Sequence, residues 1–385
     1  MVSTTAVTET DFTERFRRFI EGEKNADLRG LREEAFAYFE RVGFPTPRLE
    51  DWKYTNIAPI AKEHWDVAPH SQPTTGGYLE RLQDFDFQRN GLTALHLAFA
   101  SQFMLVVIPK DTSIAEPKVL NFGGIKGVMA CSHVLVIAEP GSKATIIESY
   151  ESQAAGFTNA AVQVFVGDNA SLTHYRVQKD SLDAFNYGAT EVSVGRGSYY
   201  NATNINLGGA LSRHDIDLKF TAEGSEAHVD GLYMLNGTQH ADTHSVIDHL
   251  VPNCTSGQNY KGVLNDKSRA VFNGKVFVRE NAHGTDAQQS NKNLLLSNEA
   301  RVDTKPQLEI FNDDVKCSHG ATVGQLEEEE LFYLLTRGLP ENLARNLLTY
   351  GFAEEIINKI DVESIKNELD LAVLNRLATD LEAKI

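Results

Sequence analysis

Polar and apolar positions divide the 385-residue chain into three textures. Near the start, Phe12, Phe16, Phe19 and Ile20 recur at helical spacing behind Asp11, which reads as a helix cap. A second stripe of Leu31, Ala35, Tyr38, Phe39 and Val42 predicts a helix from about Leu28 to Val42. Gly43, Pro45 and Pro47 stop it. From about Leu95 to Phe311 the 3.6-residue period vanishes. Short strand-like runs replace it, among them His133–Ile137, Ala144–Glu148, Ala161–Val166, Leu172–Val177, His214–Phe220 and Ala270–Val278, with Gly, Asp, Asn and Ser between them. Beyond Glu327 the helical period returns, ending in Ile365, Leu369, Leu371, Leu374, Leu377 and Leu381. The expected organisation is therefore a mainly helical region over 1–94, a β core over 95–311 and a helical region over 312–385.

One corner recurs within the β core. Gly141-Ser142-Lys143-Ala144, Gly167-Asp168-Asn169-Ala170, Gly195-Arg196-Gly197-Ser198 and Gly224-Ser225-Glu226-Ala227 each end a strand and open the next. Lys267-Ser268-Arg269-Ala270 and Ser297-Asn298-Glu299-Ala300 are looser copies. Their closing residues advance by 26, 28, 29, 43 and 30 positions. A period near 26–30 with one repeated turn suits the stacked coils of a β-solenoid, because each coil must bend where its neighbour bends. Asn236-Gly237 and Asn273-Gly274 are hairpin signals and keep an antiparallel sandwich open.

Composition narrows the partners. Thirty-six basic against 53 acidic residues give a net charge of −17, which opposes binding to nucleic acid or to anionic lipid. No apolar run reaches the roughly 18 residues of a membrane span, and the first ten residues lack the pattern of a signal peptide. Cys131, Cys254 and Cys317 are few, odd in number and far apart, which points to a reducing compartment and a cytoplasmic location.

Candidate chemistry is sparse. Gly195-Arg196-Gly197 lacks the third glycine of a dinucleotide turn, and Gly141-Ser142-Lys143 has no Walker glycine upstream. Any ATP hydrolysis belongs to another chain. In an extended strand His240, Asp242, His244 and Asp248 share a face, so the His240–His249 segment is a candidate metal or acid–base site of a solenoid or cupin-like metalloenzyme; a solvated or hydrogen-bonded polar face is the alternative. Cys317 and His319 of Cys317-Ser318-His319-Gly320 also share a face, but two ligands fall short of the four of a closed iron–sulfur or zinc site. Such an incomplete set at the junction of the β core and the last helices could be completed by a second protein.

Several runs resemble the SufB/SufD family, scaffold subunits of the SUF iron–sulfur cluster assembly machinery. They are Tyr260-Lys261-Gly262-Val263-Leu264, Arg269-Ala270-Val271-Phe272-Asn273-Gly274-Lys275-Val276, Asn293-Leu294-Leu295-Leu296-Ser297, and the stretches from Val302 to Ile310 and from Asp313 to Gly324. The likeness extends from about Asp242 to Phe352, and Glu50-Asp51-Trp52-Lys53-Tyr54-Thr55 resembles the SufD branch in particular. The short, cysteine-poor chain and Cys-Ser-His-Gly, where SufB-like chains carry Cys followed by His-Glu, point to the same branch.

The resemblance implies a right-handed parallel β-helix between two helical regions. It implies a non-catalytic subunit pairing with SufB as a heterodimer, with the SufC ATPase bound by the C-terminal helices. It further implies His319 as this subunit's ligand to a nascent iron–sulfur cluster at the SufB interface, with Cys317 as a lesser candidate. A reduced flavin accompanies some such complexes, although no segment here reads as a flavin site. The sequence leaves the oligomeric state of the isolated chain open, since a self-complementary solenoid edge could pair with itself, as a homodimer, or with SufB. The sequence assigns Cys131 and Cys254 no role beyond packing, the usual fate of a buried cysteine.

Overall fold

The computed structural model describes residues 5–68 and 78–377. Helices α1 (Thr5–Glu21) and α2 (Ala26–Val42) are followed by a 3-10 turn (Glu50–Trp52), α3 (Ala58–Lys62), β1 (Asp66–Val67), α4 (Tyr78–Leu82) and α5 (Gly91–Phe99). The chain then enters β2 (Gln102–Ile108), β3 (Lys118–Phe122), β4 (Val128–Ala138), β5 (Lys143–Tyr150), β6 (Phe157–Val166), β7 (Ser171–Gln178), β8 (Phe185–Val194) and β9 (Tyr199–Asn206). It continues through β10 (Leu211–Phe220), β11 (Glu226–Leu235), β12 (His240–His249), β13 (Thr255–Leu264), β14 (Arg269–Val278), β15 (Thr285–Leu295), β16 (Arg301–Ile310) and β17 (Val315–Gly324). Helices α6 (Glu328–Thr336), α7 (Glu341–Ile357) and α8 (Glu363–Leu377) complete it. Asp11 lies inside α1 rather than at its cap, and Leu381 falls outside the described residues.

Every strand pairing is parallel. The even strands from β4 to β16, with β1 and β2 both on β4, form sheet A; the odd strands from β17 back to β3 form sheet B. The chain alternates between the sheets, so each pair of strands is one coil of a parallel β-solenoid of about eight turns. Register advances by 26 residues from Phe185 to Leu211 and by 32 from Arg269 to Arg301. The four clear repeats lie at the corner from sheet A to sheet B, whereas Lys267–Ala270 and Ser297–Ala300 lie at the opposite corner. The 43-residue step (270 − 227) is therefore one and a half turns. Neither Asn-Gly makes a hairpin: Asn236-Gly237 is a corner and Asn273-Gly274 lies within β14.

The first corner is set by left-handed backbone. Asp111, Gly141, Asn169, Gly197, Gly224, Asn253 and Gly284 follow one another along it with φ from +54° to +75°. Only Gly and, at lower frequency, Asn or Asp adopt this conformation readily. A Cβ on Gly141 would lie 2.3 Å from Asp111 Oδ1, and one on Gly284 would lie 2.4 Å from Asn253 Oδ1. Glycine is thus required where an Asx side chain of the preceding turn leans over it.

Three cores result. One fills the solenoid with residues such as Val134, Ile146, Val164, Leu218, Phe272 and Val278. A second joins α1, α2 and α5 to the outer face of sheet A through Phe16, Phe36, Phe99, Trp65 and Phe157. A third joins Ile356, Ile357, Leu369 and Val373 of α7 and α8 to Tyr175, Ile205, Leu232 and Val263 on the outer face of sheet B. With both outer faces covered, inner strands read as almost continuous apolar runs. The solenoid runs on past 311 to Gly324, into the stretch expected to be helical. β17 is mostly exposed and carries few apolar residues, which is why it lacks the strand signal of the covered turns.

Several imidazoles are sealed into these cores. His96 Nδ1 lies 2.8 Å from the Asn159 carbonyl, and His96 Nε2 lies 3.0 Å from His133 Nδ1. Burial lowers His96 to about 4 and His133 to about 3; it also lowers His249, beside Ser256, to about 4. An unfolded chain titrates them near pH ~6.5. Below that pH the unfolded state binds protons that the folded state refuses, so stability falls with pH by about 1.4 kcal/mol per unit for each imidazole. We expect the melting temperature to drop progressively from pH ~6.5 toward ~4, and to drop less steeply in His249→Gln. Calorimetry across that range checks this, and equal slopes in the two proteins would contradict it.

Candidate functional site

β16 and β17 end their sheets, and each is bonded on one side only. On β17, Cys317 and His319 stand in register with Ala287 and Gln289 of β15, both buried inside the solenoid. They therefore continue the inward-facing row. No further turn lies over them, so Cys317 is half-buried and His319 is exposed. Burial raises the Cys317 thiol above its ordinary value, which favours its protonated form. Asp313 and Asp314 lie in the preceding corner. Among the described residues no group of three or more His, Cys, Asp and Glu side chains is arranged to hold a metal ion. Pro306, in the middle of β16, is tolerated because that strand is an edge.

Of the two readings of the His240 cluster, the structure shows the hydrogen-bonded polar face. Arg213, buried on β10, puts Nε 2.8 Å from Asp215 Oδ1 and Nη1 2.9 Å from Asp242 Oδ2. The same Nη1 donates to the Asp51 carbonyl at 2.7 Å, and the guanidinium lies 3.6 Å from the centre of the Trp52 ring. Thr55 gives its single hydroxyl proton to Asp242 Oδ2 at 2.5 Å, so His240 Nε2, 2.9 Å away, donates to the Thr55 oxygen. His244 Nε2 lies 3.1 Å from Asp242 Oδ1. Lys275 and Lys305 pair with Asp51 and Glu50 at 3.1 and 2.9 Å.

Glu50-Asp51-Trp52-Lys53-Tyr54-Thr55 is thus a clasp that ties the N-terminal region across β10 to β16. Burial opposes ionisation of Asp242, but Arg213 and His244 outweigh it and hold the carboxyl well below the usual carboxylate range. A guanidinium occupies the position of a cation, and the His240–Asp242–His244 set is not an open ligand sphere. Asp248 is likewise engaged, by Arg279. Trp52 and Trp65 are buried core residues. Thr55 and Arg213 carry the clasp, yet neither stands out in the sequence, because their partners lie 187 and 162 positions away.

All three cysteines are free, and Cys131 and Cys254 are buried with thiols raised by burial. At the other side of the molecule the link between α7 and α8 is tied to sheet B by Lys359–Asp230 at 2.7 Å, and α8 by Arg376 Nη1 to the Met234 carbonyl at 2.6 Å. α6 buries none of its residues; Phe332 and Tyr333 are 67% and 56% exposed.

The fold defines a class: a parallel β-solenoid clad on both outer faces, with Cys317 and His319 on its bare last strand. Comparison with known proteins specifies it further. Residues 121–352 match the family model for the SUF system FeS cluster assembly SufBD core domain, and residues 6–77 match that for the SufBD protein N-terminal region. An iron–sulfur cluster assembly SufBD family protein of Synechocystis is 36% identical over 343 residues, 85% of this chain and 74% of its own. Iron–sulfur cluster assembly protein SufD of Escherichia coli is 30% identical over 382 residues, covering 88% of this chain and 90% of that one. SufD of Bacillus subtilis is 27% identical over 336 residues, 84% and 73% of the two chains. The chain belongs to the SufB/SufD family of SUF-system iron–sulfur cluster assembly proteins.

Asp242→Ala should destabilise the fold by about 3–5 kcal/mol, because it leaves a buried guanidinium short of a partner. It should also open the Lys53 region to trypsin. Denaturant titration and limited proteolysis measure both, and wild-type behaviour would refute the clasp.

Proposed function

We propose that this chain is the SufD-type, non-catalytic half of a SUF scaffold. It pairs with SufB through the bare end of its solenoid and contributes His319 to a nascent iron–sulfur cluster, which is cargo handed on. The observation that carries this reading is the exposed His319 on an edge strand, beside a half-buried Cys317, in a member of this family. The free ten-residue edge of β17 supports strand addition by a partner. A SufB thiolate across that seam would supply the ligands this chain lacks, and neutral imidazole is a suitable ligand for iron. In the absence of SufB the same edge suits a second copy of this chain.

SufC docking is assigned to the helical appendix, specifically to its uncovered side: Phe332 and Tyr333 of α6, with Leu371 of α8, which is 61% exposed. ATP hydrolysis then belongs to SufC. Deleting the appendix is a poor test, since α7 and α8 cover Tyr175, Ile205 and Leu232 of sheet B. Substitution is cleaner: Phe332→Asp with Tyr333→Asp should weaken SufC capture at least tenfold while SufB co-purifies as before. Undiminished SufC capture would move the dock elsewhere.

For the ligand, anaerobic reconstitution of the complex with SufB and SufC should lose most of its cluster absorbance in His319→Ala and lose less in Cys317→Ser. An unchanged yield in His319→Ala would remove His319 from the ligand set.

A further inference from the structure

The interior of the last turns contains a directed row of amides that ends beneath His319. Gln258 of β13, Gln289 of β15 and His319 of β17 occupy successive in-register, inward-facing positions. Gln258 Nε2 donates to Ser245 Oγ at 2.6 Å, and Gln289 Nε2 donates to Gln258 Oε1 at 2.6 Å. Both amides thus turn their donors inward along the row. The last acceptor, Gln289 Oε1, is buried and has no hydrogen-bond partner, although the residue is only 4% exposed. Native structures rarely leave such an oxygen unsatisfied.

Nearby groups are already engaged. Asn291 Oδ1 accepts from Asn293 Nδ2 at 2.7 Å and from Thr304 Oγ1 at 2.8 Å, and Asn293 Oδ1 accepts from Tyr233 at 2.5 Å. Gly274 of β14 makes room for the row, since a Cβ there would lie 2.3 Å from Gln289 Nε2. The next rung is His319. It stands from Gln289 by the same inter-strand step, about 4.8 Å, that already joins Gln289 to Gln258. An imidazole carries the N–H that the row lacks.

We propose that Gln289 is a positioning residue for His319: its side-chain oxygen accepts one imidazole N–H, which fixes the tautomer and presents the other ring nitrogen as the electron-pair donor. This rests on the reading of His319 as a cluster ligand. Histidine ligands are commonly oriented in this way by a carbonyl or carboxylate on the far nitrogen. The row runs back through Gln258 to Ser245 on the opposite sheet, so the orientation is anchored across the solenoid.

The experiment uses the full chain with ¹⁵N-labelled histidine, held above the titration range of imidazole. His319 signals are identified by their loss in His319→Gln. In the wild type the two ring nitrogens should report one dominant tautomer. Gln289→Leu should shift them to the mixed values of a free imidazole, and Gln289→Glu, which keeps an acceptor, should restore the single tautomer. Gln289→Met serves as a second variant without an acceptor if the leucine form does not fold. Identical tautomer populations in the wild type and a folded Leu or Met variant would overturn the proposal. In the reconstituted complex Gln289→Leu should lower iron affinity roughly 10-fold, with Gln289→Glu recovering it. If His319→Ala leaves cluster yield intact, the ligand reading fails and the tautomer data still decide whether Gln289 orients the ring.

Discussion

Parallel stacking imposes one demand on this molecule: each turn must bend where its neighbour bends, or the main-chain ladder breaks. The demand is met most regularly at one position per coil, with further left-handed residues such as Gly209, Gly237 and Asp266 at the opposite corner. At the corner from sheet A to sheet B the chain repeatedly passes through left-handed backbone, supplied by Asp or Asn in some turns and by Gly in the others. The corner amides then bond turn to turn, as in Gly141 to the Asp168 carbonyl and Asn169 to the Arg196 carbonyl. Turn length varies by several residues, taken up both at the corners and in the length of the sheet-B strands, while the strands stay in register.

Once the ladder is in place, both sheets need cover on their outer faces, and the two ends of the chain provide it by different means. The N-terminal region brings a mass of Phe and Trp to sheet A and is locked through Asp51, Trp52 and Thr55 onto the buried charges Arg213 and Asp242. The C-terminal helices bring aliphatic side chains to sheet B and are held by ion pairs at their margins, such as Lys261–Glu355. The first arrangement is costly to open and suits a permanent wall. The second leaves α6 uncommitted, which suits a surface that meets another protein.

Much of this was legible in the sequence. The corner repeat announced a solenoid, because its Gly and Asx residues are required by backbone geometry and cannot be replaced freely. The two helical ends showed in their periodicity. Three features were hidden, for two different reasons. β17 escaped the strand reading because its inward face has nothing to cover it, so Cys317, His319 and the glycines around them lack the apolar alternation of inner strands. The His240–His249 cluster looked like a ligand set because a strand does place His240, Asp242 and His244 on one face. Its use depends on Thr55 and Arg213, which spacing along the chain cannot bring to that face. The Gln289 row was invisible for the same reason, since a glutamine acquires direction only from the rungs on either side.

The two ends of the solenoid are unlike. At the N-terminal end β2 and β3 are short, seven and five residues, and the segment between them carries Pro109 and Pro117; at the other end two ten-residue strands stand bare. A polymer needs two ends that accept strands, and among the described residues only this end presents long strands with free edges. The short, proline-flanked strands at the opposite end offer no matching edge on which a second copy could repeat such a junction, so the fold acts as its own chain-stopper against fibre growth.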